Sequence, residues 1–126
     1  MIPLLRRILL AGSGVVFAVI AVAAVVWPHA VAARYGLKLD GEAMNEFRAV
    51  FTGFWLGLAA MLFTAARRPE LVILGDLCGL ALLLQAMGRL LSVVLDGAPR
   101  ADFVAAMIGE ALTGAIVLAI RPRRAA

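Results

Sequence analysis

Residues 8–27, ILLAGSGVVFAVIAVAAVVW, run for 20 positions without a charge. As a helix rising 1.5 Å per residue, such a stretch is about 30 Å long, the thickness of a bilayer's hydrocarbon core. A second run, residues 49–66, AVFTGFWLGLAAMLFTAA, is free of charge over 18 positions. Two such runs in a chain of 126 residues leave little room for a water-facing core, and the composition agrees: 64% of residues are hydrophobic and the mean hydropathy is +1.02. These values belong to a chain that lives in lipid. Two further apolar stretches have polar interruptions. Residues 71–95 carry Asp76, Gln85 and Arg89, and residues 103–120 carry Glu110. Neither shows the two-residue alternation of a barrel strand.

The expected fold is therefore all-α: an integral membrane four-helix bundle with spans near 8–27, 46–66, 71–95 and 103–120. It forms a single domain over residues 1–126, with a short extracytoplasmic segment at about 28–45. Arg6 and Arg7 before the first run, with Ala32 ending HAVAAR, also resemble a cleaved signal sequence. The apolar core is long for that, so the run is read as an anchor.

Net charge of +4 does not imply nucleic acid, because the excess lies in short clusters beside apolar runs: Arg6, Arg7, Arg67, Arg68, Arg121, Arg123 and Arg124. The opposite loops hold Arg34, Lys38 and Arg100, diluted by Asp40, Glu42, Asp96 and Asp102. The arginine bias is expected to put both termini on the cytoplasmic side of the membrane. The turn RRPE and the connection DGAPRAD are short, so the last three spans are expected as antiparallel neighbours. Cys78 has no second cysteine to pair with, and His29 alone cannot build a zinc site, so no metal or cofactor is expected.

The polar residues inside the spans carry the functional question. Arg89 lies six residues before the outer end of its span and Glu110 seven residues after the outer start of the last one, both roughly 9–11 Å deep. Glu46 and Arg48 stand at the outer mouth of the second span. An isolated ionised side chain near mid-bilayer costs roughly 2.5–3.5 kcal/mol, which a neighbour of opposite sign offsets. Small residues share the charged faces: Gly75, Gly79 and Ala86 with Arg89, Ala106, Thr113 and Gly114 with Glu110, and Ala49, Gly53, Gly57 and Ala60 with Glu46. Such stripes mark close helix approach, so these charges are expected to face inward and form a buried ion-pair cluster. Asp76, nearer the cytoplasm, is expected to pair with Arg67, Arg68 or the N-terminal arginines.

The stretch NEFRAVFTGFWLGLAAMLFTAARRP, then GRLLSVVLDGAP, then a glutamate in the last helix, resembles a family of small bacterial four-helix membrane proteins catalogued as a domain of unknown function. The resemblance runs from about Asn45 to the C-terminus, on Asn45, Glu46, Arg48, Gly88, Arg89, Ser92, Asp96, Gly97 and Glu110. It implies the architecture and no activity.

The candidate site is Asn45, Glu46, Arg48, Arg89, Ser92 and Glu110, with no catalytic role assigned. The leading reading is a membrane protein that binds a lipid, quinone or other amphiphile, or serves as an accessory subunit of a larger membrane complex. A proton-coupled small transporter, working as a homodimer around Glu110, comes second. An intramembrane enzyme with Glu46 or Glu110 as acid or base comes third.

Overall fold

The computed structural model describes residues 2–121. Arg123 and Arg124, which contribute to the expected cytoplasmic bias, lie outside the described residues. The described residues are helical with short connections: α1 (Ile2–Val26), α2 (Pro28–Arg34), α3 (Gly41–Phe47), a π-helical segment (Arg48–Phe54), α4 (Trp55–Arg67), α5 (Val72–Asp96) and α6 (Ala101–Ala119). From α3 to α4 the helix is unbroken. Four helices are long and apolar enough to cross a membrane: Leu4–Val26, Gly41–Arg67, Val72–Asp96 and Ala101–Ala119. The expected all-α class with four spans is thus present, with altered ends. The second span starts at Gly41, five residues before the expected Glu46, so part of the supposed outer segment is helix.

Local chemistry sets the breaks. Pro28, at the first position of α2, has no N–H to give the preceding turn. α2 closes in a Schellman turn: Gly36, at φ 70°, donates to the Ala33 carbonyl at 3.1 Å, and Leu37 donates to that of Ala32 at 2.9 Å. α5 ends at Gly97, whose φ of 91° a side chain would oppose.

The chain forms two compact units, Ala11–Thr64 and the remainder. The first is organised by aromatic rings. Phe47 stacks on Phe51 at 4.5 Å between centroids, Phe51 tilts onto Trp55 at 4.6 Å, and Trp55 meets the edge of Phe17 at 5.6 Å. Tyr35 joins through Phe51, 5.0 Å away. Ala24, Ala32 and Phe47 form a core there, flanked by Val31, Leu39 and Phe51. The rings recur every fourth residue, 47, 51 and 55. The wider i→i+5 closure of Arg48–Phe54 interrupts the ordinary helical drift over this column.

That register corrects one expectation. Glu46, Ala49, Gly53, Gly57 and Ala60 are exposed, while Phe47, Trp55, Leu58, Ala59 and Leu62 are buried. The rings offer more contact area than the small stripe does, and the packed face follows the rings.

The second unit contains α5 and α6. The buried face of α5 is Gly75, Cys78, Gly79, Leu82 and Ala86, and that of α6 is Gly114 and Val117. The helices approach so closely that a Cβ at Gly114 would lie 2.7 Å from the Gly79 carbonyl oxygen and 3.1 Å from the Leu83 nitrogen. Small residues permit this contact, as in other lipid-embedded helix pairs.

Candidate functional site

α5 presents Gln85 and Arg89 four residues apart, hence on one face, toward Glu110 of α6. Arg89 Nε donates to Glu110 Oε2 at 2.9 Å and Arg89 Nη2 to Oε1 at 3.2 Å, a bidentate pair. Gln85 Nε2 adds a third donor to Oε1 at 2.9 Å. One carboxylate on α6 thus receives three hydrogen bonds from α5. The guanidinium carbon of Arg89 also lies 5.9 Å from the centre of the Phe103 ring, near the start of α6.

The pair is not sealed within the chain. The side chains of Arg89 and Glu110 keep 24% and 15% of their surface open. Nη1 of Arg89 makes no hydrogen bond among the described residues, so donors of the five-donor guanidinium remain unused. In a membrane such donors have few acceptors other than a ligand, a partner or water.

The other candidate residues are placed differently. Ser92 donates to Asp96 Oδ2 at 3.0 Å, one turn further on, and both are exposed. Asn45, Glu46 and Arg48 belong to the Ala11–Thr64 unit, where all three are exposed and their side chains make no hydrogen bond or ion pair among the described residues. Gln85 belongs with the carboxylate cluster, although it is absent from the candidate set. Its signal is the four-residue spacing to Arg89.

A second charged group lies near the start of α5. Asp76 accepts from Arg6 Nη2 at 2.7 Å and pairs with Arg121 through its other oxygen. The expected partners therefore include an N-terminal arginine, whereas Arg7 donates to the Ala66 carbonyl at 2.9 Å. Arg6 is only 4% exposed, and its Nη2 also reaches the Val72 carbonyl at 3.3 Å. Its burial was readable, since Arg6 stands one turn before Leu10, Gly14, Phe17, Ala21 and Ala24 on the buried stripe of α1. Its Nε is buried without a partner among the described residues, beside a cavity of about 10 Å³, room for one water.

Four apolar helices of spanning length, with polar side chains gathered between two of them, define a multi-pass membrane protein. The chain belongs to the family of the domain of unknown function DUF4345, whose profile matches residues 5–120. The match includes the first span as well as the stretch from Asn45 onward that carries the resemblance. No curated protein and no solved structure matches the chain.

Proposed function

We propose that this chain is a single four-span domain of a bacterial inner membrane, both termini cytoplasmic, that binds the polar head of an amphiphile at Gln85, Arg89 and Glu110. The observation carrying this reading is the half-open arginine. Glu110 orients the guanidinium through Nε and Nη2, and Nη1 has no acceptor among the described residues. A purely structural clamp gains nothing from that opening, whereas a carbonyl or phosphate oxygen arriving from the lipid side finds a fixed charged donor. A quinone, a lipid headgroup or a polar group on the helix of a larger membrane complex supplies such an oxygen. Glu110 holds the arginine in place, and Gln85 fixes the carboxylate.

The test uses the full chain in lipid nanodiscs with a photoreactive quinone and, separately, a photoreactive phospholipid. Labelling on α5 or α6 that falls at least tenfold in Arg89→Met with Glu110→Leu, a pair keeping apolar volume, supports the reading. Equal labelling of the doubly substituted chain, with its melting temperature retained, overturns it.

The transporter reading requires polar steps between the Arg89 and Asp76 layers, which α5 separates by roughly 20 Å. Gly79 and Leu82, buried between them on α5, offer no polar side chain. Proton flux through liposomes that disappears in Glu110→Gln favours the transporter over the binder.

A further inference from the structure

A cavity of about 270 Å³ lies in the Ala11–Thr64 unit, between the Leu37–Leu39 connection and the helix that follows it. Its apolar wall is Leu37, Leu39, Ala43, Phe47, Val50 and Phe51, and its charged residues are Lys38 and Glu46. It shares no residue with the site proposed above. On the helix, positions 43, 46, 47, 50 and 51 recur at three- and four-residue spacing, so one face supplies both the apolar wall and the carboxylate.

Three observations specify what fits there. First, Lys38 and Glu46 line the same cavity, yet neither side chain makes an ion pair or hydrogen bond among the described residues. Opposite charges at one mouth with no bond between them suit a ligand that carries both signs. The backbone N–H groups of Lys38 and Leu39 are likewise without an acceptor among the described residues. Secondly, the cavity adjoins the first turns of the Gly41–Arg67 span, and the end of a spanning helix is where headgroups meet hydrocarbon. Its volume is below the roughly 300–1,000 Å³ of a site that encloses a whole small molecule, and suits a headgroup with the first methylenes of a tail. Thirdly, Val50 and Phe51 belong to the π-helical segment, a conformation found mostly as short bulges and often at functional sites. Here it keeps Phe51 beneath Phe47, giving the tail an aromatic wall.

The geometry points to a zwitterionic phospholipid whose headgroup joins a phosphate to a primary ammonium. Lys38 and the neighbouring backbone N–H groups donate to the phosphate. Glu46 accepts from the lipid ammonium, and the tail leaves along Phe47, Val50 and Phe51. A trimethylated headgroup has no N–H for Glu46. A headgroup whose charge is the phosphate alone leaves Glu46 without a cation. The paired charges therefore select the primary ammonium, while the apolar wall holds any acyl chain.

The experiment is native mass spectrometry of the full chain released from nanodiscs of equimolar phosphatidylethanolamine, phosphatidylcholine and phosphatidylglycerol. Retention of the ethanolamine lipid at roughly tenfold over each of the others is expected, the ratio one charge-assisted hydrogen bond produces. Glu46→Gln should remove the preference over phosphatidylglycerol, and Lys38→Gln should lower retention of all three lipids. Both positions are exposed, so unchanged melting temperatures are expected and exclude misfolding as the cause. Equal retention of the three lipids by the unaltered chain, or a preference over phosphatidylglycerol that survives Glu46→Gln, overturns the assignment.

Discussion

Two helices of this chain carry the same glycine spacing and use it in opposite ways. Gly75 and Gly79 on α5 are buried, whereas Gly53 and Gly57 on the second span are exposed. A Cβ at Gly79 would lie 3.0 Å from Val117 and 3.3 Å from the Gly114 carbonyl oxygen, while one at Gly57 would meet nothing within 4 Å. Spacing four residues apart makes a smooth face without choosing a partner for it. On α5 that face meets Gly114, a second small residue, and carries Gln85 and Arg89 toward a carboxylate. On the second span an aromatic column occupies a different face and takes the packing. Small residues thus become a seam where a second small-residue face meets them, and a charge on the stripe, as Glu46 shows, is not enough.

The largest test of this contrast removes the charge from the seam. Arg89→Ala leaves Glu110 with Gln85 as its remaining donor in apolar surroundings and should cost roughly 3–5 kcal/mol in detergent melting. Arg89→Met with Glu110→Leu should recover much of that loss, because two apolar side chains need no neutralisation. A harmless Arg89→Ala means that the arginine reaches the interface on its own and the seam does not depend on it. Next in size is the seam itself. Gly114→Leu drives a side chain against backbone atoms of Gly79 and Leu83, which cannot yield as a flexible side chain does. A loss of about 1–3 kcal/mol, or more, is expected by the same measurement. A smaller loss at Gly114 than at Gly57 would reverse the contrast.

How far the sequence discloses this arrangement follows from what each feature requires. The spans are legible because a helix of fixed rise must match a fixed thickness, and charge-free runs mark them directly. The Arg89–Glu110 level is legible by counting residues from the two ends of one short connection. The exposure of Glu46, Gly53 and Gly57 is not, because it depends on a competition between faces of one helix. Phe47, Phe51 and Trp55 stand four residues apart in the sequence, but an ordinary helical wheel does not anticipate a π-helical turn between them. Arg6 is an intermediate case. It reads as a flanking positive charge, yet it falls on the stripe of Leu10, Phe17 and Ala21, and the structure buries it against Asp76.

That arginine supplies a smaller test. A Cβ at Gly75 would stand 2.6 Å from Arg6 Nη2, so Gly75→Ala displaces the end of a long side chain and leaves the backbone in place. Alanine favours helix over glycine by about 1 kcal/mol, which offsets part of the damage. The expected net loss is about 1 kcal/mol, and it should largely vanish when Asp76→Asn has already weakened the ion pair, since both changes act on one contact. Full additivity of the two substitutions in a double-mutant cycle would show that Gly75 and Arg6 are not coupled.

The smallest expected effect is the most exacting for the contrast. Gly57→Leu adds four carbons at an exposed position with open space around it, so the melting temperature of the isolated chain should change by the equivalent of less than about 0.5 kcal/mol. Leucine also favours helix more than glycine does, so any change should be a small gain. The measurement belongs in detergent and in nanodiscs at low protein-to-lipid ratio, with mass photometry alongside to record the oligomeric state. A neutral result leaves the stripe of Ala49, Gly53, Gly57 and Ala60 facing lipid. A clear loss accompanied by dissociation of a dimer would mean that the second span does use its glycines, against another copy of the chain, and the difference between the two helices would lie in which partner each glycine face meets.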